Sequence, residues 1–180
     1  MFSFGSSVSL QEVLAGREWR LERQKQLLGL YRDMVLLDFK CNIPGPIKNN
    51  ASIERLFQHG LEAIIQLLNG HKILILHQQV KNAKVGPEAF LVVDSTAEAL
   101  KGLMIAFEES SPLARLYDSD VLYRDPHYLE PMSLSRQELG YPQRTCLICD
   151  RPAKECGRSR QHSVEEMQAA IERLCQAYLP

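Results

Sequence analysis

The chain has 180 residues, is 45% hydrophobic and 24% charged, and carries a formal net charge of −1. That balance is globular at a length suiting one domain, and no global field directs it to nucleic acid or an anionic membrane. No apolar run is long enough to span a bilayer, and Met1-Phe2-Ser3-Phe4-Gly5 lacks the basic-then-apolar form of a secretory signal.

Ser9-Leu10-Gln11-Glu12 is a capping-box sequence that opens a first helix. Gly16 is expected to break it, with a second, charged helix from Arg17 to Tyr31. Met34 to Phe39 reads as a buried strand. It runs into Asn42-Ile43-Pro44-Gly45-Pro46-Ile47-Lys48-Asn49, whose prolines forbid a regular ladder or helix. The next helix carries Ile53, Leu56, Phe57, Leu61, Ile64 and Leu68 at helical spacing and stops at Asn69-Gly70. Lys72 to Val80 and Ala89 to Asp94 read as strands, with Gly86-Pro87 marking the turn between them. Ser95-Thr96-Ala97-Glu98 is a second capping box, and its helix shows Leu100, Leu103, Met104 and Phe107 on one stripe. A strand-like run from Ala114 to Val121 follows, with Met132 to Ser135 as its hairpin partner. A last helix starts at the capping box Ser163-Val164-Glu165-Glu166.

The order strand, helix, strand, strand, helix, strand predicts an α+β fold of the split β-α-β kind, ferredoxin-like or nucleotidyltransferase-like. A mixed sheet with helices packed on it is expected, followed by a Cys-containing C-terminal loop and a terminal helix. The last core strand should be central or near-central, with both flanking helices supporting it.

That strand holds Asp118 and Asp120. Alternate strand side chains share a face, so the two carboxylates lie side by side and repel unless a cation sits between them. Magnesium favours one or two carboxylates plus substrate phosphates, so the spacing suits metal-assisted phosphoryl or nucleotidyl transfer. The same spacing also occurs in solvated turns and on exposed strand faces.

Five cysteines, three of them clustered between 146 and 156, indicate a reduced cytoplasmic protein with a candidate metal site rather than a disulfide framework. Cys146, Cys149, Cys156 and His162 have the spacing C-x₂-C-x₆-C-x₅-H, from which thiolates and an imidazole can close a structural zinc site. The alternative is a set of reduced thiols in a loop that packs by other means. Around them Arg144, Arg151, Lys154, Arg158 and Arg160 form a basic patch, either a solvated face or a guide for an acidic partner. Stacking aromatics are absent between Arg144 and His162, which disfavours a zinc-knuckle module that binds nucleic acid.

Pro44-Gly45-Pro46-Ile47-Lys48, Ala114-Arg115-Leu116-Tyr117-Asp118-Ser119-Asp120-Val121, Ser135-Arg136, Pro142-Gln143-Arg144-Thr145-Cys146-Leu147-Ile148-Cys149 and Cys156-Gly157-Arg158-Ser159-Arg160-Gln161-His162 occur in that order. Together they resemble the citrate lyase holo-acyl-carrier-protein synthase family, the apo-citrate lyase phosphoribosyl-dephospho-CoA transferases. The resemblance covers nearly the whole chain, from the Arg17-Glu18-Trp19-Arg20 helix to the last helix. It implies a single transferase domain over 1–180, with N-terminal helices in 1–32, an α/β core in 33–140 and the Cys/basic loop and C-terminal helix in 141–180.

The implied reaction moves phosphoribosyl-dephospho-CoA from 2'-(5''-triphosphoribosyl)-3'-dephospho-CoA to a serine of the citrate lyase acyl carrier (gamma) subunit, releasing diphosphate. Family members can be fused to the enzyme that makes the donor; this chain is too short to include it. Asp118 and Asp120 become the catalytic, magnesium-holding pair, with Asp38, Asp94 and Asp125 open as a third carboxylate. Lys48, Asn49 and Arg136 become donor contacts. Arg115 is either a phosphate clamp or a salt-bridge residue on the sheet. The wider nucleotidyltransferase pattern has a Gly-Ser turn on a helix shortly before its acid pair; here Glu108-Glu109-Ser110-Ser111-Pro112 stands there, without glycine. Competing readings are the same chemistry on a malonate decarboxylase carrier protein, and a non-catalytic zinc-knuckle binding module. His59, His71, His77 and His127 are given no role.

Overall fold

The structure is a computed structural model describing all residues except 3, 126, 128, 129 and 180. Helix α1 (Leu10–Leu30) starts from the expected capping box: Ser9 Oγ accepts from the Glu12 amide and the Glu12 carboxylate accepts from the Ser9 amide. It does not break at Gly16. A glycine costs a helix interior only about 1 kcal/mol against alanine, and here the bare Cα admits Val85, whose methyl would lie 3.0 Å from an added Cβ.

Strand β1 (Val35–Cys41) and helix α2 (Ala51–Gly70) follow, the helix capped by the Asn50 side chain on the Ile53 amide. Strands β2 (Ile75–Ala83) and β3 (Gly86–Val93) form a hairpin. Its turn falls at 84–85, one step before the expected Gly86-Pro87, because Gly86 already opens β3 with φ +118°. Thr96, not Ser95, caps helix α3 (Ala97–Glu109), its hydroxyl accepting from Ala99. The expected strand from Ala114 begins instead with a 3₁₀ turn (Ala114–Leu116), since Ser111 Oγ and the Leu113 carbonyl take the first amides locally. Strand β4 (Tyr117–Tyr123), β5 (Met132–Leu134), a short helix α4 (Ala153–Ser159) and helix α5 (Val164–Tyr178) complete the order. Helix α4 had no legible sequence signal, whereas α5 starts at its predicted box.

The sheet order is β2-β3-β1-β4-β5. Strand β3 lies between β1 and β2, and β1 between β3 and β4, so each β-α-β crossover is split by an inserted strand. The α+β, ferredoxin-like alternative is therefore the one observed. Insertion also makes every registered neighbour antiparallel, where a mixed ladder was expected.

Alternation divides the sheet into two unlike faces. Leu37, Phe39, Leu91, Val93 and Val121 pack against α2 and α3 in the main core. The opposite face holds Leu36, Phe90, Val92 and Leu122, covered by Leu27 and Leu28 of α1, with Trp19 edge-on to Phe90. Farther along β1 and β4 this second face changes from apolar to charged. The aspartates lie there, beside α1, whereas α2 and α3 support the strand from behind.

Helix α2 crosses the sheet closely at Gly60, where an added Cβ would lie 2.5 Å from the Tyr117 ring and 2.8 Å from Phe39 Cζ. Tyr117 is also pinned by its hydroxyl to the Leu56 carbonyl at 3.1 Å. Gly60→Ala is expected to destabilise the fold by about 1–3 kcal/mol through overpacking, despite better helix propensity. Denaturant unfolding checks this, and a stabilised variant would contradict it.

Candidate active site

The register of β1 against β4 pairs Asp38 with Asp120 and Lys40 with Asp118. Direct cross-strand partners share a face, so three carboxylates and one ammonium converge. Lys40 Nζ lies 2.6 Å from Asp120 Oδ2 and 3.4 Å from Asp118 Oδ2, between the two acids. The side chains of Asp118 and Asp120 remain 37% and 44% exposed, so both open to a ligand. Asp38 is fully buried. Its Oδ2 accepts from Gln24 Nε2 at 2.7 Å and lies 3.7 Å from Arg20 Nε, while its Oδ1 has no partner among the described residues. Arg20 also pairs with Glu88 of β3. Of the three candidates for a further carboxylate, Asp38 alone is brought to the pair.

Burial and charge shape these groups differently. Burial pushes Asp38 up to about 7, outweighing the opposing pull of Lys40 and Arg20. Burial also works against ionised Asp120, but Lys40 beside it holds its pKa below the usual range. Lys40 is buried too, yet Asp38, Asp120 and Asp118 keep it charged and raise its pKa.

Two clefts flank this face and share Asn42. The smaller, about 250 Å³, is lined by Arg17, Arg20, Lys40 and Lys48 together with Asp118 and Glu88. Burial and the nearby Arg17 lower the Lys48 pKa, and its ammonium donates to the Ile43 carbonyl. The larger cleft, about 820 Å³, separates the core from the 144–171 region. It presents Arg115, Arg136 and Arg144 beside apolar Leu116, Leu147, Met167 and Ile171. Arg144 joins the clefts: its Nη2 donates to Tyr117 O at 2.7 Å and lies 2.8 Å from Glu108 Oε2, and its Nη1 is 3.8 Å from Asp118 Oδ1. Glu108 is buried, accepts from the Ser119 amide at 3.0 Å, and is met by Arg136 at 3.4 Å. Burial raises its pKa against the pull of Arg144 and Lys101.

The remaining candidates divide. Asn49 lines neither cleft; its amide donates to Asn82 Oδ1 and Ala83 O, tying the Pro-Gly-Pro loop to the end of β2. Arg115 lies on the 3₁₀ turn, so strand parity does not apply, and it donates to Thr145 O, Thr145 Oγ1 and Cys146 O. All five cysteines are free thiols. The ligand atoms of Cys146, Cys149, Cys156 and His162 lie within 4.8 Å of one another, close enough to hold a metal ion.

Lys40, Arg20, Arg17, Gln24 and Glu108 were missed from sequence. Lys40 had a readable signal: Asp38-x-Lys40 repeats the period of Asp118-x-Asp120 on a neighbouring strand. The others come from α1 and α3, and nothing in their own segments marks them.

The fold and site thus define an α+β protein that gathers carboxylates and cations on one open sheet face between two basic clefts. The chain belongs to the apo-citrate lyase phosphoribosyl-dephospho-CoA transferase family, whose model matches residues 8–178. It is similar to a Streptococcus pyogenes serotype M18 protein named "Probable apo-citrate lyase phosphoribosyl-dephospho-CoA transferase", 40% identical over 97% of this chain and 88% of the relative. A Vibrio cholerae serotype O1 protein of the same name is 38% identical over 96% of this chain and 94% of its own length. Protein CitXG of Leuconostoc mesenteroides subsp. cremoris is 34% identical over 96% of this chain but only 36% of its own. Membership makes the chain a transferase. No helix among the described residues is long and apolar enough to cross a membrane.

The raised Asp38 pKa gives a signed expectation. Folded Asp38 keeps a proton that the unfolded chain, with a value near 3.8, has released. Its contribution to stability is full below that unfolded value and lost as pH rises through about 7. Asp38→Asn, which stays neutral, should flatten the fall in stability between those limits. Denaturant midpoints across that pH range for both proteins check it; parallel curves would contradict it.

Proposed function

We propose that this transferase moves phosphoribosyl-dephospho-CoA from 2'-(5''-triphosphoribosyl)-3'-dephospho-CoA to a serine on the acyl carrier (gamma) subunit of citrate lyase, with diphosphate as the leaving group. The observation that carries the reading is the position of the half-exposed Asp118–Asp120 pair between a small cationic cleft and a large amphipathic one.

Asp118 and Asp120 fit magnesium: two neighbouring carboxylates on a rigid strand, open on one side, suit an ion whose other positions go to phosphate and water. Buried Asp38 lies beneath them, with an Oδ1 that has no partner among the described residues. Bound magnesium would neutralise charge building on the diphosphate. Lys40 occupies the space between the acids and would yield it to the ion, remaining beside them as a second positive charge. Arg17, Arg20 and Lys48 take the phosphates in the smaller cleft through charge-assisted hydrogen bonds. The larger cleft has the size and mixed lining of a ligand pocket and takes the dephospho-CoA portion, with Arg136 and Arg144 on its charged groups. Arg115 acts by holding the cleft wall, and Asn49 by holding the loop that carries Lys48. Exposed Arg151, Lys154, Arg158 and Arg160 steer an acidic carrier protein. A cytoplasmic setting belongs to the same reading. Family membership draws it towards a citrate lyase carrier rather than a malonate decarboxylase one, and a purely non-catalytic module would leave the acid pair unused.

The test combines the purified chain, donor, apo-carrier protein and magnesium, with mass spectrometry of the carrier. Asp118→Asn and Asp120→Asn should each lower transfer by roughly a hundredfold or more while retaining the wild-type melting transition. Full activity in both variants overturns the metal role. Lys48→Ala should raise the donor KM about tenfold, the scale of one charged hydrogen bond. An unchanged KM removes Lys48 from the phosphate site.

A further inference from the structure

The segment 144–162 has almost no core of its own. Its only buried side chains are Cys146 and Cys156; Arg151, Lys154, Glu155, Arg158 and Arg160 are all exposed. Its helix α4 has seven residues, too short to stand alone in water. Yet its backbone is closely specified. Cys146 N donates to Arg151 O at 2.7 Å and Ala153 N to Arg144 O at 2.8 Å, closing a knuckle around the first two cysteines. Ile148 N points at Cys146 Sγ, 3.5 Å away. Helix α4 then presents Cys156, and Arg160 turns left-handed at φ 49° so that His162 comes back to the same point.

There, Cys149 Sγ lies 3.5 Å from Cys156 Sγ and 3.2 Å from His162 Nε2. A tetrahedral ion with bonds of about 2.3 Å to sulfur and about 2.0 Å to nitrogen places its ligand atoms roughly 3.5–3.8 Å apart. A disulfide would bring two sulfurs to about 2.05 Å, which this pair does not approach. Three thiols and an imidazole also make a closed four-ligand set with no position left for substrate, the form of structural zinc.

The knuckle is fastened to the transferase face. Arg115 donates to Thr145 O and Cys146 O from the core side. Arg144, two residues before the first cysteine, reaches Glu108, Tyr117 O and Asp118.

We propose that Cys146, Cys149, Cys156 and His162 close a structural zinc site that holds segment 144–162 on the core and so positions Arg144 beside Asp118. The ion takes the place of a hydrophobic core in this segment. Arg144 is a positioning partner of the acid pair, and the zinc site acts on that pair through it.

Metal analysis of the freshly purified full chain should find close to one zinc per chain. Replacement by cobalt should give a thiolate-to-metal charge-transfer band with intense tetrahedral visible bands, both weakened in Cys149→Ser. Zinc near zero in wild-type protein that also fails to take up cobalt overturns the site, whatever the transferase assay shows. Trypsin after chelation should cut within 144–162 while the core melting transition persists; resistance equal to that of the zinc form overturns the bracing role. For Arg144, zinc removal followed by return of excess magnesium should lower transfer about tenfold in wild type but add less than about twofold in Arg144→Ala, since coupled effects are not additive. Full additivity overturns the link to Arg144 while leaving the metal result standing.

Discussion

The organising interaction is the ammonium of Lys40 set among the carboxylates of Asp38, Asp118 and Asp120. Three acids on adjacent strands repel one another, and partial burial strengthens that repulsion by lowering the local dielectric. A cation between them makes the sheet face tenable, and the β1–β4 register puts it there: Asp38 opposite Asp120, Lys40 opposite Asp118. A slip of one residue by either strand would turn its own two charged groups into the apolar core against α2 and α3. Gly60 and the Tyr117–Leu56 hydrogen bond resist such a slip from the other face, seating α2 directly behind the start of β4.

Around that cluster the protein arranges cations in tiers. Arg20 and Gln24, one turn apart on α1, reach the buried Asp38. Arg17 and Lys48 line the small cleft without carboxylates of their own to pair with among the described contacts. Arg144 and Arg136 share Glu108 behind the larger cleft. Buried charges are expensive unless paired, so such a concentration on one side of the molecule is most simply understood as a surface built for a highly anionic ligand. The donor of the proposed reaction, with its triphosphate and the diphosphate of dephospho-CoA, is such a ligand.

Helix α1 also shows how context overrides local signals. Gly16 read as a breaker because glycine weakens a helix; it is tolerated because Val85 of the β2–β3 turn fills the space over it. The Gly86 turn, the Ser95 cap and the strand at Ala114 were each misplaced by one to three residues. For the cap and the strand a neighbouring hydroxyl or carbonyl satisfied the backbone first, and Gly86 opens β3 instead of closing the turn.

By itself the sequence determined the element order, the split β-α-β class, two of the helix caps, the side-by-side acids and the Cys-His spacing. All of these depend on periodicity or on contacts within a few residues, so they are written locally. Tertiary structure alone decided the rest: that β1 and β3 insert between crossover strands and make the sheet antiparallel, that Asp38 rather than Asp94 or Asp125 joins the pair, that Lys40 sits between the acids, and that Asn49 and Arg115 hydrogen-bond to distant segments. Those outcomes rest on strand register and on helices packed across long sequence separations, which no local pattern encodes.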